Sequence, residues 1–239
     1  DERALLFDSG LGIGDMQAVV SGLTDLEVVL LNSHTHYDHV GGNYQFDTVW
    51  GMDTPFSRER SKGLDHEAVA EAVSEGWIWK PLPVGFSPEE YTSRPWPVDR
   101  YVNDGMQIDL GGISLEVIAT PGHAPDCISL LDRHNRMLFT GDTFYLAALY
   151  THLEGSSLAD YTATAQRLAS LVDLVDTLVT SHNVPTASAD YLEALNRAMQ
   201  SINSGAAPYE LVDGIREYRF NDFSVLTEDP PEPARDQGT

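Results

Sequence analysis

The segment His34-Thr35-His36-Tyr37-Asp38-His39 is the feature that most constrains what this chain can fold into. Buried without a ligand, three histidines and an aspartate packed this closely would face one another with unpaired polar groups or mutual repulsion. Upstream, Glu27 to Leu31 is a short apolar run that reads as a strand. The cluster therefore leaves a sheet edge, where side chains can converge on a ligand. Two imidazoles separated by one residue point the same way from extended backbone, and the adjoining Asp38-His39 pair can turn to a second centre. The segment thus offers ligands to two metal ions. His66, His134 and His152 stand alone and read as structural or surface residues.

The rest of the pattern is α/β: short apolar runs alternate with helical periodicity. Strands are expected at Ala4 to Phe7, Glu27 to Leu31, Thr48 to Trp50, Met106 to Leu110 and Ser114 to Ala119. Cys127 to Leu131 and Met137 to Thr140 form a hairpin around a polar turn, and Thr177 to Thr180, Ile215 to Phe220 and Phe223 to Leu226 complete the set. Helices are expected near Met16 to Ser21, after the capping sequence Ser157-Leu158-Ala159-Asp160, and from about Ser188 to Ser204. A chain of 239 residues with 42% apolar content can bury one large core, so residues 1–239 read as a single domain. The Pro-rich stretch 228–239 reads as a disordered tail.

Residues 51–105 break the alternation. An acidic helical pattern from Leu64 to Glu75 precedes an aromatic and proline-rich stretch with Trp77, Trp79, Phe86, Tyr91, Trp96 and Tyr101. This reads as an insertion whose aromatics pack on the core, line a wall of a substrate pocket, or do both.

Composition excludes several function classes. A net charge of −23 argues against nucleic acid and anionic membrane as partners, because phosphates would be repelled over most of the surface. No apolar run is long enough to span a bilayer, and the first residues do not read as a signal peptide. The single Cys127 allows no internal disulfide and fits a reducing, cytoplasmic setting. The expected partner is a small-molecule substrate, and nothing in the sequence sets the oligomeric state.

In its motifs the chain resembles the metallo-β-lactamase-fold hydrolases, whose signature is H-x-H-x-D-H. Gly41-Gly42-Asn43 matches the usual continuation, and Thr120-Pro121-Gly122-His123, Phe139-Thr140-Gly141-Asp142 and Thr180-Ser181-His182 follow in the expected order, each after an expected strand. The resemblance runs from Leu5 to Leu226; the family usually has a strand pair before the segment matched by Leu5 to Gly10, and this sequence begins almost at that segment, so either residues lie upstream of Asp1 or the first sheet is shorter. The resemblance implies a four-layer αβ/βα sandwich carrying the aromatic-rich insertion. It further implies that His34, His36 and His123 bind one divalent ion, that Asp38, His39 and His182 bind the other, and that Asp142 bridges them. Zinc suits this set, and iron and manganese also accept it. A hydroxide held between two such ions is the nucleophile this implies, with Asp38 orienting it and shuttling a proton. The loop after the bridging aspartate borders the pocket in this family, so Tyr145, Tyr150 or His152 could donate a hydrogen bond to substrate; core packing is the competing explanation.

The fold hosts many reactions, so the substrate must be argued separately. Dedicated β-lactamases generally lack an aspartate at the position matched by Asp142. Glyoxalase II thioesterases share the ligand set but carry a basic, helical C-terminal region, and nuclease members carry a further domain and a basic face. Hydrolysis of a small ester, lactone or related acyl compound is the expectation. The alternatives are a thioesterase of glyoxalase II type, a promiscuous β-lactamase, a phosphodiesterase and a non-catalytic metal-binding protein.

Overall fold

Leu30 sits between Val29 and Leu31 on one strand, and the pleat sends it to the opposite face, so this strand is buried on both sides. That requirement organises the molecule. The computed structural model describes residues 2–229. In chain order they form β1 (Arg3–Phe7), α1 (Met16–Ser21), β2 (Glu27–Leu31), α2 (Tyr37–Val40), β3 (Val49–Met52), α3 (Pro55–Arg60) and α4 (His66–Val69). Next come β4 (Arg100–Val102), β5 (Gln107–Asp109), β6 (Ser114–Ala119), β7 (Ile128–Asp132), β8 (Met137–Gly141) and β9 (Ala148–Tyr150). The chain then runs through α5 (Leu158–Ala169), β10 (Thr177–Thr180), β11 (Thr186–Ser188), α6 (Asp190–Asn203), β12 (Glu210–Val212), β13 (Ile215–Arg219) and β14 (Ser224–Glu228).

Strands β1-β2-β3-β4 form a parallel sheet, and β11-β10-β8-β7-β6-β5 a mixed one. Val29 and Leu31 pack between the two sheets with Trp50, Val102, Val117, Ile128 and Leu130. Leu30 packs outward with Val20 of α1, Phe46 and Trp96. On the far face of the mixed sheet, Ile118, Leu131, Leu138 and Leu178 meet Tyr161, Ala165 and Leu168 of α5 and Leu192, Leu195 and Met199 of α6. The result is helix, sheet, sheet, helix: four layers of an α/β sandwich. A third sheet, β12-β13-β14-β9, joins this last core through Leu149, Tyr218 and Val225.

Strand directions place the site. β7 is antiparallel to both β6 and β8, and β10 is parallel to β8, so β6, β8 and β10 all end at the same edge of the mixed sheet. The loops after these strands carry His123, Asp142 and His182.

Three expectations change in detail. The Leu64 to Glu75 pattern does not form one helix: α4 covers one turn, and Ala70–Val73 continues as a tighter 3₁₀ turn after Val69 leaves helical geometry at φ −125°. The tighter winding keeps Val69, Ala72 and Val73 together against Tyr91, Tyr37 and Leu11. The 228–239 tail begins too early, because Glu228 closes β14 and the Asp229 amide donates to Gly214 O; the remainder lies outside the described residues. The 51–105 stretch starts inside β3 and contains β4, so its excursion from the sheet runs between Met52 and Arg100.

Candidate metal centre

After β2 the chain runs through His34 and Thr35 to His36, the N-cap of α2 in extended geometry at ψ 152°, and then turns once through α2. Close packing beneath that turn demands glycine at 41, since a Cβ there would sit 2.1 Å from the Leu11 carbonyl oxygen. The loop holding His123 is fastened from α5: Thr164 Oγ1 donates to Pro121 O at 2.7 Å, Ser157 N to Gly122 O at 2.8 Å and Ser156 Oγ to His123 O at 2.6 Å. Gly122, at φ +140°, lies directly on Tyr161, where a Cβ would come within 2.4 Å of its Cα.

These loops bring all seven expected residues together. His34, His36 and His123 form one group, Asp38, His39 and His182 a second, and His34, His39 and Asp142 a third between them; within each group the candidate donor atoms lie within 4.8 Å of one another. His36 Nδ1 and His123 Nε2 are 2.9 Å apart. Asp142 faces both sides: Oδ2 lies 3.6 Å from His123 Nε2, while Oδ1 lies 3.3 Å from His39 Nε2 and 3.2 Å from His182 Nε2. Asp38 Oδ2 completes the second group at 3.5 Å from His39 Nε2 and 3.4 Å from His182 Nε2. His34, His39, His123 and Asp142 form a buried floor, whereas Asp38 and His182 are about one third exposed and form an open mouth.

This donor set fits divalent cations. His34 Nε2, His39 Nε2 and Asp142 Oδ1 are buried with no hydrogen-bond partner, an arrangement that folded proteins rarely keep without a ligand. Burial, reinforced by neighbouring imidazoles, pushes His34 well below the usual histidine range and His36 down to about 3; burial also lowers His123. That first group is therefore neutral, as ligand histidines must be. In the second, the Asp142 and Asp38 carboxylates beside its ring hold His182 up to about 9. Burial opposes the charge on His39, yet Asp142, Asp8 and Asp38 together hold its proton well above the ordinary range. Asp38 and Asp142 are lowered in turn: burial opposes ionisation, and His39 and His182 overcome it. The carboxylates here gather positive charge, and protons occupy a place that a metal ion can take.

Outside the seven, Asp8 is the residue that sequence reasoning missed. Its Oδ1 accepts from Ser33 N at 2.7 Å, and its Oδ2 accepts from Ser33 Oγ at 2.7 Å and from His39 Nδ1 at 2.8 Å. His39 is thereby fixed with Nε2 aimed into the centre. Ser33 Oγ also meets His34 Nδ1 at 3.0 Å, and His123 Nδ1 donates to Tyr150 O at 2.8 Å. Tyr150 thus orients His123 through its backbone carbonyl. Tyr145 is buried with its ring edge-on to His182, centroids 5.1 Å apart. His152 Nδ1 lies 3.5 Å from Leu226 O, and its ring centroid is 5.7 Å from that of Tyr150. Among the insertion aromatics Tyr91 and Trp96 are buried, whereas Trp77 and Trp79 are 64% and 83% exposed.

The fold and donor set define a metallohydrolase, and comparison with known proteins supplies the family. The model of the metallo-beta-lactamase superfamily matches residues 1–182, and the chain belongs to that superfamily. Acyl-coenzyme A thioesterase MBLAC2 of Homo sapiens is 30% identical over 195 residues, covering 76% of this chain and 69% of that protein. A hydroxyacylglutathione hydrolase of Aeromonas hydrophila is 32% identical over 169 residues, covering 70% of this chain and 52% of that protein. Among solved structures, a metallo-beta-lactamase family protein from Thermus thermophilus superposes with a TM-score of 0.62 at 21% identity, covering 85% of this chain and 73% of that one. An archaeal superfamily member from Sulfolobus tokodaii gives 0.55 at 19% identity, covering 89% and 81%. The fold of this superfamily implies divalent metal ions. No helix among the described residues is long and apolar enough to cross a membrane.

Proposed function

We propose that this chain hydrolyses an acyl thioester, with His34, His36 and His123 holding one divalent ion, Asp38, His39 and His182 holding a second, and Asp142 contacting both. The observation that carries the metal assignment is Asp142, whose two carboxylate oxygens face the two ligand groups separately. Both relatives described above act on thioesters by name, which favours that bond over the oxygen esters and lactones expected from sequence.

Bound at these positions, divalent ions supply Lewis acidity that polarises an acyl carbonyl and makes water deprotonable near neutral pH. The protein side of the chemistry falls to few groups. Asp38 stands at the open mouth, one oxygen among the ligands, where it can orient water and hold its proton. A thiol leaving group has a pKa of about 8.5, so it departs without a strong acid beside it, which suits a site whose nearest acid is a ligating carboxylate. Burial, then Asp142, pushes Tyr145 far above the usual phenol range, so it remains a hydrogen-bond donor beside His182. Its role is to steady the acyl oxygen.

The acyl group itself is assigned to the insertion side. Ile78, Phe86 and Tyr37, which adjoins Asp38, pack against the same cluster of Val69, Ala72, Val73 and Tyr91, and in the same stretch of chain Trp77, Trp79 and Val84 stand exposed. After α6, Arg216 is tied to Asp229 and Arg219 to Glu210 and Glu217, so these two arginines are already neutralised. Neither is therefore free to hold an anionic carrier, whether through the carboxylates of glutathione or the phosphates of coenzyme A. The test is a panel of acyl-coenzyme A, acylglutathione and simple thioesters, oxygen esters, lactones, β-lactams and phosphodiesters, assayed on protein with measured metal content. The highest kcat/KM is expected on a thioester; turnover of β-lactams or phosphodiesters alone would overturn the reading.

A further inference from the structure

Asp126 is a second buried carboxylate, 1% exposed, and it stands outside the seven. Its Oδ2 accepts from Thr35 Oγ1 at 2.6 Å, and its Oδ1 is buried with no partner. One hydroxyl is poor compensation for burying a carboxyl group, so the residue is costly as mere packing. Its position indicates what it does. Thr35 lies between His34 and His36 in the chain: those two imidazoles converge on the centre with His123, while the Thr35 hydroxyl between them turns to Asp126. Asp126 itself lies three residues beyond His123, on the loop that leads into β7.

The three imidazoles of the first group therefore come from two loops. Near the centre these loops are joined by the Ile128 amide, which donates to Ser33 O at 2.8 Å, and by the Thr35–Asp126 bond. The first bond precedes His34. The second acts between the two histidines and sets the rotation of the segment bearing them. We infer that Asp126 and Thr35 are a positioning pair that holds His34 and His36 against His123 for metal binding. This rests on the metal assignment above but not on the choice of thioester as substrate.

The experiment is a zinc titration of the full chain in competition with a chromophoric chelator, run beside the thermal melt of the metal-free protein. Thr35→Val removes the hydroxyl at nearly constant shape and is expected to weaken zinc binding about tenfold or more, the usual range for losing a group that orients metal ligands. Asp126→Ala is expected to do the same, and the double variant to lose no more than the worse single one. Thr35→Ser and Asp126→Asn, which keep the donor and an acceptor, are expected to restore binding to within a few-fold. A Thr35→Val protein that melts like the parent and binds zinc as tightly overturns the inference, as do fully additive losses in the double variant. Should Asp126→Ala not fold, Thr35→Val against Thr35→Ser decides alone. A parent chain that binds no zinc, manganese or iron would instead sink the metal assignment itself.

Discussion

Asp8 shows how one side chain outside the ligand set can govern it. At φ +69° it holds a backbone conformation that aspartate tolerates better than most residues, and from there one carboxylate serves Ser33 and His39 together. Asp8→Ala strands the Ser33 amide and the His39 Nδ1 proton; metal retained after dialysis should fall toward one ion per chain, with affinity at the His39 group lower by about 10- to 100-fold. Unchanged metal content would exclude this role. Asp126 makes a different prediction. Burial, opposed by the Thr35 hydrogen bond, pushes its carboxyl up to about 6. A raised carboxyl stabilises the fold only while protonated: the contribution is complete below the unfolded value near 3.8 and fades as pH rises through about 6. Asp126→Asn removes that loss, so its stability relative to the parent should rise between pH 4 and pH 7, by up to about 3 kcal/mol. Chemical denaturation of both metal-free proteins across that range measures it, the shared histidine titrations cancelling in the difference. A flat difference would mean that Asp126 ionises normally.

At the scale of elements, the insertion divides into an anchored base and an exposed tip. Val69, Ala72, Val73 and Tyr91 bury against Leu11, Ile13 and Tyr37, and Tyr91 Oη donates to Leu11 O at 2.6 Å, which fixes the base beside Asp38. Trp77 and Trp79 contribute little to that packing. Replacing both with alanine should leave the melting temperature within a few degrees and kcat/KM on an acetyl thioester nearly unchanged, while the gain from lengthening the acyl chain shrinks several-fold. Equal loss on short and long chains would remove the acyl role from this segment. The same contrast explains what was legible in the sequence. His34 to His39 advertised themselves because their ligands are local, and His123, Asp142 and His182 because each follows a strand with a clear apolar run. Asp8 was silent: a lone aspartate after a strand reads as a turn residue, and only the parallel register that pairs Phe7 with Leu31 brings it beside Ser33. Four of the five three-residue strands, β4, β9, β11 and β12, are too short to show a period of two on their own, whereas the fifth, β5, lies inside the longer Met106 to Leu110 run. Thr35 and Asp126 are 91 residues apart, and neither carries a local pattern.

At the scale of the whole molecule, charge governs how substrate arrives. The chain has 37 acidic against 14 basic residues, and Arg58, Arg60, Lys62, Arg133, Arg136, Arg167, Arg197, Arg216 and Arg219 are already paired with carboxylates. Exposed pairs of this kind contribute about 0–1 kcal/mol each, so they leave the surplus of negative charge largely uncompensated. An anionic thioester such as an acyl-coenzyme A must approach through that field, and repulsion lowers the encounter rate. Salt shortens the reach of the field from about 30 Å at 0.01 M to about 8 Å at 0.15 M. The kcat/KM for an anionic thioester should therefore rise over that range, whereas a neutral thioester of the same acyl chain should change little. Like charges on enzyme and substrate fix the sign, and the neutral substrate corrects for any effect of salt on folding. A fall with salt, limited to the anionic substrate, would reveal a local cationic path to the mouth formed by Asp38 and His182, strong enough to outweigh the net charge of −23.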